Sequence, residues 1–261
     1  MFDQFYSLPI YLALLLIFIG CNLISVLGYY VSHRFLARVD NKDVVTKVVW
    51  QTVLFFTTIF ITFWIATNWS NLGALKSATI REANSLQLLY HEMDGLNQPQ
   101  RKLLQTELLT YADLVVNDEY AHLRHGQSSP RTDRAFRTLV NSIYDYRQEG
   151  FSSGDDGGYN RVLDQIEVVS DYRDTRLQYL EGNLQGPLLL FFIIMIVVGC
   201  FWTGFIDTKS RIFTTFIILC QNLIISASCW LILEMDKPFQ GELSVGKSAF
   251  VAVYQQLEHK H

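Results

Sequence analysis

Four apolar runs constrain this chain most. They span residues 8–31, 48–67, 187–206 and 212–233, and none contains an interior Lys, Arg, Asp or Glu. At about 1.5 Å rise per residue, runs of this length match the hydrocarbon core of a bilayer. They lie at the two ends of the chain, and the middle is polar and charged. The expected fold class is therefore an all-α integral membrane protein. Four transmembrane helices would carry a helical extramembrane bundle inserted between spans 2 and 3. The boundaries are 1–67 for spans 1 and 2 with their basic loop, 68–186 for the bundle, 187–233 for spans 3 and 4, and 234–261 for the tail.

Flanking charge sets the expected orientation. His33, Arg34, Arg38, Lys42 and Lys47 follow the first run, whereas Asp3 precedes it. That is the reverse of a cleaved leader, so the run reads as a retained span. Lys209 and Arg211 lie in the tight loop between runs 3 and 4. Basic short loops stay in the cytoplasm. The N-terminus, the middle region and the C-terminus are then expected on the periplasmic or exterior side of the membrane. Trp50 and Trp202 fall near one interface, and Trp69 and Trp230 near the other.

In the middle region, Leu72, Leu75, Thr79, Ala83, Leu86 and Leu89 share a helical face that continues from span 2. A second helix is expected after residues 96–100, with Asn97 as N-cap, Pro99 in the first turn, and Leu104, Leu108, Tyr111 and Val115 on its apolar face. A third follows Pro130, carrying Phe136, Leu139, Val140, Ile143 and Tyr144. The Gly/Ser/Asp-rich stretch 149–158 predicts a solvated loop. A fourth helix carries Leu163, Ile166, Val169, Leu177 and Leu180 towards Gly186-Pro187, where a bend is expected.

Function classes narrow quickly. Acidic residues outnumber basic ones in the middle region, which argues against nucleic-acid binding. No phosphate loop, serine-hydrolase elbow or paired-His zinc motif occurs, so neither an enzyme nor a cofactor is expected. Asp118, His122 and His125 share a helix, but they read as a solvated tail rather than a metal site. Cys21, Cys200, Cys220 and Cys229 all lie inside spans, where cysteine acts as a small apolar residue. The expected partners are the lipid bilayer, further copies of the chain and inorganic ions.

Polar residues inside spans are costly unless they pair or meet water. Candidates are Asn22 and Ser25 in span 1, Thr58 and Thr62 in span 2, and Gln221, Asn222 and Ser226 in span 4. They read either as interhelical hydrogen bonds or as a hydrated path. The stretch 234–245 closes span 4 with Glu234, Asp236, Lys237, Pro238, Phe239 and Gly241. Pro238 should stop the helix, Gly241 should let the chain turn back, and Phe239 should either wedge between helices or point at an axis. Repeated around an oligomer, Glu234 and Asp236 would form an acidic ring, which favours cations. Alternatively, Asp236 pairs with Lys237, Arg81, Arg173 or Arg176 as an anchor.

Four segments carry a family resemblance. These are Trp69 with Arg81-Glu82-Ala83, residues 110–120 (TYADLVVNDEY), Arg173 with Arg176-Leu177, and Asp236 with Pro238-Phe239 and Gly241. In order and spacing the chain resembles the bestrophin-like domain family of bacterial membrane proteins. The resemblance implies a homo-oligomeric channel with four spans per subunit and, from true bestrophins, a preference for anions. It also points to Arg81, Glu82, Arg173 and Arg176 as ion-pair candidates. The other reading of the large helical middle is a non-conducting sensor or scaffold that binds a partner.

Overall fold

The computed structural model describes residues 10–35, 42–146, 156–181, 186–206, 210–241 and 243–259. Among them the regular structure is all helical. It comprises α1 (Ile10–Phe35), α2 (Lys42–Glu92), α3 (Gln100–Leu114), α4 (Tyr120–Leu123), α5 (Pro130–Tyr146), α6 (Asp156–Gln178), α7 (Gly186–Thr203), α8 (Arg211–Asp236) and α9 (Ser248–Glu258). A single π turn, Val115–Glu119, joins α3 to α4. The chain divides into two units, one of residues 1–70 with 183–236 and the other of 71–182 with 237–261.

In the first unit, α1, α2 and α8 are long and apolar enough to cross a membrane. The apolar helix α7 is shorter, with Pro187–Thr203 below that length. The third run was expected to reach Ile206, but α7 stops at Thr203 and turns at Gly204. Packing explains the turn. A Cβ on Gly204 would meet the Ser25 carbonyl and lie 2.7 Å from the Tyr29 nitrogen, so α1 and α7 touch backbone to backbone. Gly28 makes the reciprocal approach to the Phe201 carbonyl. On the other side of α7, Phe60 of α2 packs edge to face on Phe191 at 4.9 Å, and Trp64 stacks on Phe192. Leu15, Ile19, Leu23, Phe56, Ile59, Phe63, Phe216 and Ile224 are exposed, as a lipid-facing surface requires.

The second unit packs the later part of α2, α3 to α6 and α9 around one core containing Leu86, Leu89, Leu108, Leu139, Val162, Val169 and Phe250. Its local signals are readable. The Ser129 hydroxyl accepts from the Arg131 and Thr132 amides at 3.2 Å each and caps α5, with Pro130 in the first position. Before it, Gly126 takes φ 71°, and the Gln127 amide reaches back to the His122 carbonyl at 3.1 Å, a Schellman ending.

Two boundaries differ from expectation. Pro99 precedes α3 in the cap position, and Asn97 contributes its carbonyl to the Arg101 amide at 3.1 Å. Within the stretch expected as loop, residues 156–158 open α6 instead, because a Cβ at Gly158 would lie only 3.3 Å from the Gly95 carbonyl and glycine fits there. Residues 149–155 of that stretch fall outside the described residues, as do Asp3, Arg38 and Lys209.

Candidate functional site

Two buried polar clusters stand out, one in each unit. In the first unit, Asn222 donates to Ser25 Oγ at 3.0 Å and to Asn22 Oδ1 at 3.1 Å. Ser25 donates to the Cys200 carbonyl at 2.8 Å, so one small side chain ties α1 to both α7 and α8. Ser226 bonds the Asn222 carbonyl within its own helix at 2.6 Å. Five of the intramembrane candidates therefore lie on α1 and α8, and Asn22, Ser25 and Asn222 meet directly. Gln221 is half-buried on α8. Thr58 and Thr62 are elsewhere, on the exposed face of α2 with Gln51 and Ala66. A cavity of about 350 Å³ adjoins the α1–α8 contact and is lined by Asn22, Ser25, Val26, Tyr29 and residues of early α8.

In the second unit, an ionic cluster fills part of the core. Arg176 donates from Nε to Glu82 Oε2 at 2.6 Å and from one terminal nitrogen to Glu82 Oε1 at 3.0 Å and Glu119 Oε2 at 2.8 Å. Arg173 reaches Glu119 Oε1 at 3.3 Å and also pairs with Asp133. Arg176, Glu82 and Glu119 are all 0% exposed. Tyr111 closes the ring by donating to Glu82 at 3.1 Å. Each guanidinium lies over an aromatic face, Arg173 over Phe136 and Arg176 over Phe250.

The chain reaches this geometry through its backbone. The π turn Val115–Glu119 loosens the backbone between α3 and α4, and Glu119 at its end is buried against Arg173 and Arg176. The loosened turn leaves the Val116 carbonyl to accept from Lys247 Nζ at 2.9 Å. Burial opposes charge on the two arginines, but neighbouring groups win. Glu119 and Glu82 hold Arg176 well above its ordinary pKa, and Tyr111, Glu119 and Asp133 raise Arg173. Burial, reinforced by Glu82 and Glu119, pushes the Tyr111 hydroxyl well up, so it stays a donor. The cluster is chemically an ion network that can fix helices: Glu82, Glu119 and Arg176 are fully buried, and Asp133 at its edge is partly exposed.

Of the ion-pair candidates, Glu82, Arg173 and Arg176 come together. Arg81 lies outside the cluster at the surface, 3.4 Å from the Tyr172 hydroxyl. Glu119 and Asp133 were not singled out from sequence, and Tyr111 was read there only as part of an apolar face. Both Glu119 and Tyr111 lie within the 110–120 segment, and their i, i+8 spacing through Val115 puts them on one side of a helix, but that spacing does not reveal which charge Glu119 meets.

Residues 237–241 and 243–245 form a tight reversal after α8. Glu234 is half-buried and Asp236 is 8% exposed at the end of α8. Then the Gln240 amide bonds the Lys237 carbonyl at 2.9 Å, Gly241 takes φ 74°, and the Val245 amide returns to the Pro238 carbonyl at 2.7 Å. Phe239 is 4% exposed and meets Tyr120 edge to face at 6.4 Å, so within the chain its ring serves the core. Glu82, the 110–120 segment, the Arg173/Arg176 pair and Phe239 therefore all build one core.

These features define an all-helical membrane protein whose second unit is organised around a buried Glu–Arg network. Residues 19–250 match the family model described as the bestrophin-like domain, and the chain belongs to that family. Solved structures agree in fold. A point variant of a bacterial bestrophin homologue from Klebsiella pneumoniae superposes with a TM-score of 0.70 at 14% identity, covering 94% of this chain and 99% of the other. A second variant of that homologue gives 0.71 at 12% identity, covering 94% and 97%. A structure described only as a membrane protein gives 0.70 at 13%, covering 96% and 97%. No curated protein matches.

Proposed function

We propose that the chain is one subunit of a homo-oligomeric ion channel in a bacterial inner membrane. In this reading α1, α2, α7 and α8 each cross the bilayer, α7 making a short crossing, and residues 68–186 form a helical bundle outside it. Both termini lie on the bundle's side, as the basic short loops favour. The observation that carries the reading is the exposed face of α2. Gln51, Thr58, Thr62 and Ala66 recur there at helical spacing, on a span that also exposes Thr52 and Thr67 and the large apolar Phe55, Phe56, Ile59 and Phe63. Small and polar side chains are poor against lipid and suited to a watered path between subunits. The family's likeness to bestrophin homologues supports the same reading.

Two charge signals bear on ion sign. The acidic end of α8, Glu234 and Asp236, leans towards cations. The family leans towards anions. With Asp236 largely buried, the acidic-ring reading rests mainly on Glu234.

Flux in proteoliposomes under salt gradients tests the proposal. Conduction is expected, and Thr62→Trp should reduce it at least several-fold. A reversal potential moved by Glu234→Gln with Asp236→Asn supports the acidic mouth, and an unmoved one removes it. No flux from folded, assembled protein overturns the channel reading in favour of a non-conducting sensor or scaffold.

A further inference from the structure

We propose that the cavity between α1 and α8 is a binding site for an anionic phospholipid of the surrounding bilayer. The inference rests on the membrane reading above but not on conduction. The cavity holds about 350 Å³, within the roughly 300–1,000 Å³ of small-molecule sites. Its two ends differ chemically. α1 and α8 run antiparallel, since Asn22 and Ser25 meet Asn222 while Val26 and Tyr29 lie further along α1 beside Thr214 to Leu219.

At the end where α8 begins, the wall carries Arg211, Thr214, Thr215 and Tyr29. His33 packs against Tyr29 with ring centroids 4.2 Å apart and planes tilted by 37°, and Arg34 follows it in the last turn of α1. The Arg211 guanidinium is the cation of the cavity lining, beside the Tyr29 hydroxyl, while the Thr215 hydroxyl donates to the Arg211 carbonyl at 3.0 Å; His33 and Arg34 lie on the same end of α1, outside the lining. Deeper in, Val26, Ile218 and Leu219 make an apolar wall suited to an acyl chain. At the far end Asn22 Oδ1 and Ser25 Oγ accept from Asn222 of α8, and Ser25 donates to the Cys200 carbonyl. They bound the cavity without demanding a charged occupant. A free inorganic anion would use the Arg211 end and leave the apolar wall unfilled; a phospholipid satisfies both. Basic residues between membrane helices recognise lipid headgroups by this combination.

The test uses the full chain in detergent micelles, with retained lipid counted by native mass spectrometry. Dioleoylphosphatidylglycerol should be retained in preference to dioleoylphosphatidylcholine. Arg211→Gln should lower phosphatidylglycerol affinity about fivefold, the effect of one cation near an anionic headgroup, and leave phosphatidylcholine unchanged. Arg211→Lys should restore the preference. Val26→Trp, which fills the apolar wall from an exposed position, should reduce retention of both lipids. A thermal midpoint for each variant separates lost binding from lost folding.

Equal retention of the two lipids overturns the proposal, as does full retention by Val26→Trp. Displacement of the lipid by millimolar inorganic phosphate, with no dependence on Val26, assigns the site to a free anion and also overturns it. Absence of retained lipid from the assembled wild type means that a neighbouring subunit closes the cavity, and it overturns the proposal as well. Lipid retention needs no ion flux, so a non-conducting protein that shows this pattern refutes the channel reading and leaves the lipid site standing.

Discussion

Arg176→Met is the most informative perturbation of the second unit. The substitution keeps much of the side-chain length and removes three charge-assisted hydrogen bonds, at 2.6 and 3.0 Å to Glu82 and 2.8 Å to Glu119. The two carboxylates lose unequally. Glu119 keeps Arg173 at 3.3 Å, whereas Glu82 keeps only the Tyr111 hydroxyl at 3.1 Å. Glu82 is wholly buried, so its charge is stranded. Breaking a buried pair this way costs about 3–5 kcal/mol, or roughly two to three and a half powers of ten in the folding equilibrium. Removing the stranded charge should return much of that loss. Arg176→Met with Glu82→Gln is expected to be more stable than Arg176→Met alone, with a coupling of about 2 kcal/mol. Tryptophan fluorescence is the wrong probe, because all five tryptophans lie in the first unit. Amide hydrogen exchange over α3 and α6, in the full chain in micelles, reads the second unit directly. A loss below about 1 kcal/mol for Arg176→Met, or strict additivity in the double variant, would refute the claim that the network holds this core together.

Three further outcomes follow from the geometry. Gly204→Ala forces a methyl against the Ser25 carbonyl and the Tyr29 amide, so α1 and α7 must part. Overpacking and the weakened Ser25 to Cys200 bond together should cost about 2–4 kcal/mol in detergent unfolding. Gly73→Ala, with nothing within 4 Å of the new Cβ, should be neutral or stabilising by up to about 1 kcal/mol; equal losses at the two positions would discredit the close-approach argument. Partial burial raises the Glu107 carboxyl above its ordinary value, against the opposing bond from Ser142. A carboxyl raised in the folded state favours the protonated fold, so stability should fall as pH rises through that raised value. Glu107→Gln should remove this loss, and thermal midpoints that stay parallel from pH 4 to 8 would disprove it.

The membrane helices were legible in sequence because a bilayer imposes a length and a composition on every span. The runs starting at residues 8, 48 and 212 became α1, α2 and α8, and the expected continuation of span 2 into the middle region is the single helix Lys42–Glu92. The Ser129–Pro130 start of α5 was also readable, since capping is local chemistry. Other features depended on contacts between residues far apart in the chain. The end of α7 at Thr203 follows from Gly204 meeting α1, a helix from the opposite end of the chain.

The candidate clusters divide in the same way. Asn22, Ser25, Asn222, Arg173, Arg176 and Glu82 were visible as residue types out of place, because polar groups in a span and paired arginines near an apolar face need partners. Their partners were not visible. Glu119 meets Arg173 and Arg176 only once α6 has packed beside it, and Asp133 reaches Arg173 only once α5 and α6 have packed. Composition and periodicity determined by themselves that the chain is a helical membrane protein with a polar middle. Tertiary structure alone decided that the Glu82, 110–120, Arg173/Arg176 and Phe239 segments share one core, since a buried charge selects its partner by three-dimensional proximity, which separation along the chain does not encode.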